Sequence, residues 1–312
     1  MGDAHITVEI PASSANLGPG FDALAAALDV PLTITTTQRG AERVHSRGLG
    51  AGELPTDDGN LIWRAFVAYC ERFDVEPPEV SLVADNAIPL ERGLGSSAAA
   101  AVGGVTVARQ LTGAGGSDAE LIDLAAALEG HPDNAAAALL GGIVVCADGL
   151  ARRLEPAPAL RPVICIPDSR QSTEAARGVL PASVPLADAA ANGGRAAMVL
   201  AGLSGALAWE PSVMHDVLHE PPRFGVMAST GRLVGALRDA GIGACLSGAG
   251  PSVLAICRHD DDDTLATITA LAGDGWDVRP VDWHRRGASK VSGGTVADGP
   301  GAGHAGAGAR TG

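Results

Sequence analysis

Aromatic residues, closely spaced cysteines and long apolar runs are all scarce in this 312-residue sequence. Phe, Trp and Tyr contribute 3% of the residues whereas 46% are hydrophobic, so the core must be built from Ala, Val, Leu and Ile. The five cysteines are odd in number and widely spaced, which is typical of free thiols and argues against a disulfide or zinc framework. No apolar run reaches the ~18 residues of a membrane span, and no signal-peptide pattern opens the chain. These absences predict a cytoplasmic protein with no membrane partner.

Positive charge is also in short supply. Lys and Arg total 22 against 36 Asp and Glu, and the formal net charge of -14 argues against a nucleic-acid partner. The length suits two domains, and a stretch rich in proline and arginine around residues 152–162 marks the predicted boundary between residues 1–155 and residues 156–286. Residues 287–312 are mostly Gly, Ala and Ser, and they are predicted to be disordered because they have almost nothing to bury.

Strand and helix patterns alternate along both halves of the chain and predict an α+β fold. In the first half, alternating apolar residues over 6–10 predict a strand, and helical spacing after an Asn60 cap predicts a helix. Another helix is bounded by a capping box, formed by Ser117 and Glu120, and by Gly130. In the second half, "GACLSG" and "PSVLAIC" predict two strands joined by a tight turn.

The segment "IPLERGLGSSAAAA" places a glycine turn directly before an alanine-rich helix. It lacks the Gly-Lys-Ser/Thr ending of a Walker loop and the Gly-x-Ser-x-Gly elbow of a serine hydrolase. Its letters do match the dinucleotide fingerprint G-x-G-x-x-G/A, but residues 85–92, including Pro89, separate the preceding strand from Gly93. A purely structural alternative stays open, in which the glycines end a loop and the serines cap the helix.

Several features of this segment favour an anion-binding site. From Gly93 onward the glycines permit close backbone approach, and the free N–H groups of a first helical turn attract anions. Ser96 and Ser97 add hydroxyls that can reach phosphate oxygens or a magnesium ion. Gly103 and Gly104 each weaken the helix by roughly 1 kcal/mol relative to alanine, which predicts that another backbone packs closely against it.

A second polar cluster, "EGHPDN", follows the predicted helix that ends near Glu129. The helix dipole disfavours a carboxylate in the last turn of a helix, so a carboxylate there suggests a function. Glu129 can be a magnesium ligand, with His131 and Asn134 as polar substrate contacts, which is what phosphoryl transfer requires beside a phosphate loop. The alternative is a plain turn in which Pro132 and Asp133 begin the next helix.

Three longer motifs occur in an order that resembles a known family. "PASSANLGPGFDAL" at residues 11–24 is similar to its N-terminal substrate motif, and "PLERGLGSSAAAA" is similar to its ATP loop. "CLSGAGPSVLAI" at residues 245–256 resembles its C-terminal glycine motif, and "EGHPDNAAAALLGG" and "HEPPR" lie between in the expected places. The family is that of the homoserine kinases, in the GHMP small-molecule kinase superfamily, and the resemblance extends from about residue 6 to about residue 283.

The resemblance implies a two-domain α+β GHMP kinase fold, with a ribosomal-protein-like N-terminal domain and a ferredoxin-like C-terminal domain. ATP and L-homoserine would lie in the cleft between the domains, Mg2+ would be bound by Ser97 and Glu129, and O-phospho-L-homoserine would be formed for threonine biosynthesis. A homodimer is also considered. The implied ATP-binding residues are Asn60, Pro89, Arg92, Gly93, Leu94, Gly95, Ser96, Ser97 and Ala98. The implied homoserine-binding residues are Asn16, Asp22, His131, Asn134, Arg177 and Arg223, and the implied catalytic residues are Asn134, Thr173 and Glu129.

The chemistry of homoserine also suits these residue types. Its ammonium group requires a carboxylate, which Asp22 supplies, and its carboxylate requires a planar bidentate donor, which Arg177 or Arg223 supplies. By the same resemblance, Thr173 would face the γ-phosphate of ATP. Because the family has no obvious catalytic base, catalysis is expected to depend on positioning and charge stabilisation.

Other functions stay open on the sequence alone. A GHMP kinase that acts on another small hydroxylated metabolite would keep the same loop and the same fold. A dinucleotide oxidoreductase would require a strand that ends at Gly93. A nucleotide sensor without catalytic activity would keep the loop, but it would need neither Glu129 nor the pair formed by Asn16 and Asp22.

Overall fold

The computed structural model describes residues 5–291, and within this range the chain forms two sheets flanked by helices. The strands are β1 (Thr7–Ala15), β2 (Leu24–Gln38), β3 (Val44–Gly48), β4 (Val80–Asn86), β5 (Ile143–Ala147), β6 (Leu150–Leu154), β7 (Leu160–Pro167), β8 (Gly243–Leu246), β9 (Val253–Arg258), β10 (Trp276–Pro280) and β11 (Ser289–Val291). The helices are α1 (Leu61–Arg72), α2 (Ser96–Thr112), α3 (Asp118–Glu129), α4 (Pro132–Leu140), α5 (Thr173–Gly178), α6 (Leu186–Leu203), α7 (Glu220–Val226), α8 (Ala228–Asp239) and α9 (Asp262–Ala272). Among these described residues, no helix is both long enough and apolar enough to cross a membrane.

Apart from β11, which joins the first sheet, the strands of the two sheets come from the two halves of the chain. The first sheet has the order β11-β1-β2-β4-β3, with β5 paired to β2 and β6 paired to β5. Its β3 and β4 are parallel, and its other pairs are antiparallel. The second sheet has the order β10-β7-β9-β8 and is antiparallel throughout. The chain passes between the sheets from Leu154 to Leu160, and the domain limits near residue 155 stay a prediction.

Helix α2 lies at the centre of the first half, and residues 101–108 of this helix are all buried. A Cβ atom on Gly104 would lie 2.2 Å from the carbonyl oxygen of Ile62 in α1. A Cβ atom on Gly103 would lie 2.4 Å from the side chain of Ile34 in β2. The two glycines therefore allow α1 and the sheet to approach closely, which confirms the close backbone packing that the sequence predicts.

The predicted helix boundaries are confirmed where the capping signals are strongest. Asn60 caps α1 by accepting a hydrogen bond from the backbone N–H of Ile62. The capping box of Ser117 and Glu120 begins α3, and Gly130, in the left-handed conformation, ends it. This local chemistry places Glu129 in the last turn of α3, at the edge of the cavity described below.

Two predictions about the ends of the molecule need correction. The strand predicted over residues 6–10 is longer than expected, because β1 continues to Ala15 after a register shift against β2. The segment predicted to be disordered from residue 287 contains a strand near its start, because β11 pairs with residues 7–9 of β1. The side chains of β11 bury little surface, but the edge of β1 supplies backbone hydrogen-bond partners, which composition cannot reveal. Residues 292–312 of that segment lie outside the described part of the chain.

Candidate active site

A cavity of about 540 Å³ lies between the two halves and collects residues from both. Sixteen of the seventeen residues predicted from the sequence line it: Asn16, Asp22, Asn60, Pro89, Arg92, Gly93, Leu94, Gly95, Ser96, Ser97, Glu129, His131, Asn134, Thr173, Arg177 and Arg223. The exception is Ala98, which is fully buried and does not line the cavity. Its methyl group is buried in the first turn of α2, and its contact with the nucleotide stays a prediction.

The glycine turn is held between β1 and the β8–β9 connection. Gly95 precedes α2 with a φ of 70°, and a Cβ atom there would lie 2.0 Å from Ser13 Oγ. A Cβ atom on Gly93 would lie 2.2 Å from the carbonyl oxygen of Ser247, whose own hydroxyl lies 2.7 Å from the carbonyl oxygen of Gly93. The protein itself therefore requires glycine at both positions, independently of any ligand.

The first turn of α2 opens into the cavity. Its N-cap residue, Gly95, has no side chain to accept a hydrogen bond from the first N–H groups of the helix. Ser96 and Ser97 line the cavity beside these groups, and Ser97 donates to Glu129 instead of capping α2. The structural alternative in which the serines cap the helix is therefore not what is observed, and the helix end is available to an anion.

Ser97 and Glu129, the predicted magnesium ligands, are in direct contact. The hydroxyl of Ser97 donates to Glu129 Oε1 over 2.7 Å, while Glu129 Oε2 is buried without a hydrogen-bond partner among the described residues. His131 Nδ1 lies 3.6 Å from Oε2, and this carboxylate raises the pKa of the His131 imidazole, partly offset by burial. A hydroxyl and an incompletely paired carboxylate are oxygen donors that suit magnesium. The plain-turn alternative is also partly correct, since Pro132 does begin α4.

A continuous set of contacts leads from Glu129 to the N-terminal motif. The Nε of Arg177 donates to His131 Nε2 over 2.7 Å, which leaves the ring proton on Nδ1, on the side of Glu129. The Nη2 of Arg177 donates to both carboxylate oxygens of Asp22, at 2.8 and 3.0 Å. Residues that are far apart in the sequence thus form a single network, and Arg177 and Asp22 neutralise each other within it.

Arg223 is almost completely buried, with 2% of its surface exposed, yet it lines the cavity. Its Nε lies 3.2 Å from the carbonyl oxygen of Ala176, and its Nη1 lies 3.2 Å from that of Gly248. The same Nη1 lies 3.0 Å from His219 Nδ1. The ring of Phe21 lies below the guanidinium, 5.4 Å from ring centroid to Arg223 Cζ. Arg223 is therefore fixed in one position before any substrate binds.

His219 is not among the residues that line the cavity, but it contacts Arg223 from behind, and its role was not predicted from the sequence. It is fully buried, it stacks on Phe21, and its Nε2 lies 2.9 Å from the carbonyl oxygen of Gly18. Burial lowers the pKa of His219 to about 4, so the ring is neutral, donates from Nε2 and accepts from Arg223 at Nδ1. Its position four residues before Arg223, on the same face at the start of α7, is the signal that could have revealed it.

Two asparagines connect the cavity wall to its neighbours. Asn16 has a φ of 70°; its Oδ1 accepts from the N–H of Asp22, and its Nδ2 donates to the carbonyl oxygen of Gly248. Asn134 Oδ1 accepts from the hydroxyl of Ser13. Asn16 therefore fixes the loops that carry Asp22 and Gly248, and Asn134 joins α4 to β1.

Asn60 and Arg92 use their polar atoms on the protein itself. Asn60 caps α1 and donates to the carbonyl oxygen of Pro55. Three nitrogens of Arg92 donate to the backbone carbonyls of Leu90, Pro167 and Asp168, which joins the glycine turn to the end of β7. Both residues line the cavity, and their hydrogen bonds to the backbone fix them in its wall.

Asp133 is an additional buried acid at this site. Burial raises the pKa of Asp133 to about 6, and the N–H of Asn134 donates to its carboxylate. Asp133 lines the same cavity, and it was identified in the sequence only as part of a helix start.

Comparison with known proteins identifies the family of the chain. The family model described as GHMP kinases N terminal domain matches residues 60–142, and the one described as GHMP kinases C terminal matches residues 197–268. Homoserine kinase of Streptomyces coelicolor is 40% identical over 304 residues, covering 95% of this chain and 97% of that protein. The crystal structure of homoserine kinase from Cytophaga hutchinsonii matches with a TM-score of 0.81 at 27% identity, covering 93% and 98% of the two chains.

A more distant neighbour shares the fold alone. The crystal structure of the Methanococcus jannaschii mevalonate kinase matches with a TM-score of 0.67 at 14% identity, covering 91% of this chain and 99% of that one. The two-domain GHMP kinase architecture is therefore present, and a dinucleotide-binding fold is excluded because β4 ends at Asn86, well before Gly93. Given its identity to full-length relatives and the arrangement of its cavity, the chain belongs to the homoserine kinase family of the GHMP kinases.

Proposed function

We propose that this protein transfers the γ-phosphoryl group of ATP to the hydroxyl of L-homoserine, which gives O-phospho-L-homoserine for threonine biosynthesis. The observation that supports it most strongly is the single cavity, in which the open end of α2 and the Asp22–Arg177 pair are linked through Glu129 and His131. A phosphate site and a zwitterion site in one cavity are what this reaction requires.

The nucleotide would bind with its phosphates at the first turn of α2. The N–H groups there have no side-chain cap, and the helix dipole favours negative charge at this end. One part of the wall, from Asn60 to Ile62 and from Pro89 to Leu90, is largely apolar and would accommodate the adenine.

Magnesium would be held by Ser97 and Glu129. Their oxygens lie 2.7 Å apart, and the unpartnered Oε2 of Glu129 leaves the carboxylate able to accept a cation. When bound, Mg2+ neutralises part of the charge on the transferring phosphates. Within the chain, Ser97 orients the carboxylate of Glu129, and His131 supplies a second neighbour for it.

Homoserine would bind at the Asp22–Arg177 pair. Its ammonium group would face Asp22, and its carboxylate would face Arg177 and the fixed guanidinium of Arg223. Its hydroxyl would then lie between Asn134 and Thr173, close to the γ-phosphate, so the rate would come from alignment and charge stabilisation.

We also infer a cytoplasmic homodimer. All five cysteines are buried and unpaired, which suits a reducing compartment. Because the formal net charge of -14 makes two copies repel each other, we place the contact at an apolar surface, and α6 exposes both Leu186 and Met198. Sedimentation velocity of the purified protein tests this, and a monomer at micromolar concentration contradicts it.

The proposed activity is tested by measuring ADP release with magnesium-ATP against L-homoserine, L-serine, L-threonine, mevalonate and galactose. We expect L-homoserine to have the highest kcat/KM of the five acceptors. A higher value for mevalonate or galactose would instead support the alternative of a GHMP kinase for another hydroxylated metabolite. Mass spectrometry of the product checks that the phosphate is attached to the side-chain oxygen.

A further inference from the structure

Four arginines line the cavity in the described part of the chain, and one of them has no role so far. Arg92 is engaged with backbone carbonyls, and Arg177 and Arg223 lie at the homoserine end. Arg170 lies instead on the segment between β7 and α5, shortly before Thr173, the first residue of α5, and it lines the same cavity as the glycine turn.

The partners of Arg170 are two exposed carboxylates. Its Nη1 lies 2.6 Å from Glu53 Oε2, and its Nη2 lies 3.1 Å from Glu53 Oε1. Glu91 Oε2 lies 3.9 Å from the same Nη1. The three side chains are 45%, 49% and 55% exposed, respectively, and exposed ion pairs of this kind contribute little to stability. Breaking the two hydrogen bonds between Arg170 and Glu53 therefore costs little free energy.

These carboxylates create an electrostatic problem for the nucleotide. Glu53 and Glu91 line the cavity that contains the glycine turn, and a nucleotide triphosphate carries several negative charges. The turn has no lysine, and Lys290 is the only lysine in the sequence. Among the described residues at this part of the cavity, Arg170 is therefore the cation that is paired with exposed side chains alone.

We propose that Arg170 is a phosphate-binding residue that exchanges Glu53 for the terminal phosphates of ATP. This inference rests on the proposed function. The planar fork of a guanidinium matches phosphate oxygens as well as it matches a carboxylate. Because the N–H of Gln171 already donates to the carbonyl oxygen of Glu91, the exchange needs a change of side chain more than a change of backbone.

The experiment compares nucleotides of different phosphate number in titration calorimetry with the full chain. In Arg170→Ala we expect ATP affinity to fall by about tenfold or more while AMP affinity stays within about twofold, since the contact is to the terminal phosphates. In Glu53→Gln, which frees the guanidinium, we expect ATP to bind more tightly than in the wild type. Arg170→Lys keeps one charge without the fork and should lie between wild type and Arg170→Ala.

Two results would overturn the inference. If Arg170→Ala and Glu53→Gln both weaken ATP and AMP to the same extent, the pair only fixes the cavity wall. If Arg258→Ala, which removes an equal charge from the exposed pair with Asp260, weakens ATP as much as Arg170→Ala does, the effect is one of net charge. Wild-type ATP binding and homoserine phosphorylation are measured alongside. Their absence refutes the proposed function together with this inference, whereas normal wild-type activity with unaltered variants refutes the role of Arg170 alone.

Discussion

Replacing His219 with phenylalanine tests whether this buried imidazole holds Arg223 in place for the substrate. The variant keeps the ring and its stacking on Phe21, but it loses the hydrogen bonds to Gly18 and to Arg223. A neutral hydrogen bond contributes about 0.5–1.5 kcal/mol and one to a charged group about 1.5–3 kcal/mol. The free energy of unfolding at pH 7 should therefore fall by about 2–4 kcal/mol, as measured by urea denaturation.

The kinetic effect should be confined to homoserine. Arg223 keeps its carbonyl partners in Ala176 and Gly248, so it is loosened and not lost. We expect KM for homoserine to rise by about tenfold, the equivalent of 1.4 kcal/mol, with KM for ATP changed by less than about twofold. His219→Gln, which can still donate and accept, is the matched control and should have the smaller effect. Equal changes in both KM values, or no change in either, would refute the positioning role.

The same variant should alter the dependence of stability on pH. The pKa of His219 is lowered to about 4 in the folded protein, against about 6.5 when unfolded. Between pH 4 and pH 6.5 the imidazole is protonated in the unfolded chain and neutral in the folded chain. The stability contributed by His219 is therefore complete above about pH 6.5 and is lost as the pH falls toward 4. His219→Phe should therefore lose less stability than the wild type between pH 7 and pH 5. A parallel loss in both proteins would show that the imidazole is not kept neutral.

Three further changes test the rest of the site. Glu129→Gln should reduce both magnesium affinity and kcat by two to four powers of ten, or on the order of 3–5 kcal/mol, and an unchanged magnesium dependence in the ADP assay would contradict the ligand assignment. Gly95→Ala should destabilise the fold by about 1–3 kcal/mol through its contact with Ser13, with partial recovery in a Ser13→Ala background, and equal urea midpoints would contradict this. Arg223→Ala should raise KM for homoserine by roughly ten- to a hundredfold and change KM for ATP little, and equal weakening of both would remove its role as carboxylate clamp.

Sequence signals that act within one turn of chain predicted their elements well. The Asn60 cap, the capping box at Ser117 and the glycine at residue 130 fix helix ends through hydrogen bonds between near neighbours. Gly103 and Gly104 revealed a close approach because each lacks a side chain at a buried helix face. The physical cause of such features can be read directly from the sequence.

Features that depend on distant partners could not be predicted in this way. β11 exists because the edge of β1 is available to it, and its own three residues give no strand pattern. The bond between Arg177 and Asp22 joins residues from the two halves of the chain, and only the fold brings them together. His219 was overlooked for the same reason, since its contacts with Gly18 and Phe21 are formed across the domains.

The pairing of charges within the cavity explains how the site can select its acceptor. Arg177 and Asp22, whose side chains are 39% and 40% exposed, already satisfy each other, so a ligand must replace both partners to avoid leaving one charge without a partner. A zwitterion such as homoserine does this, because its carboxylate replaces Asp22 at the guanidinium while its ammonium group replaces Arg177 at the carboxylate. An acid without an ammonium group, such as mevalonate, would bind the arginines and leave Asp22 unpaired. We therefore expect discrimination between acceptors to come from the cost of this unpaired charge, and a kcat/KM for mevalonate equal to that for homoserine would contradict this.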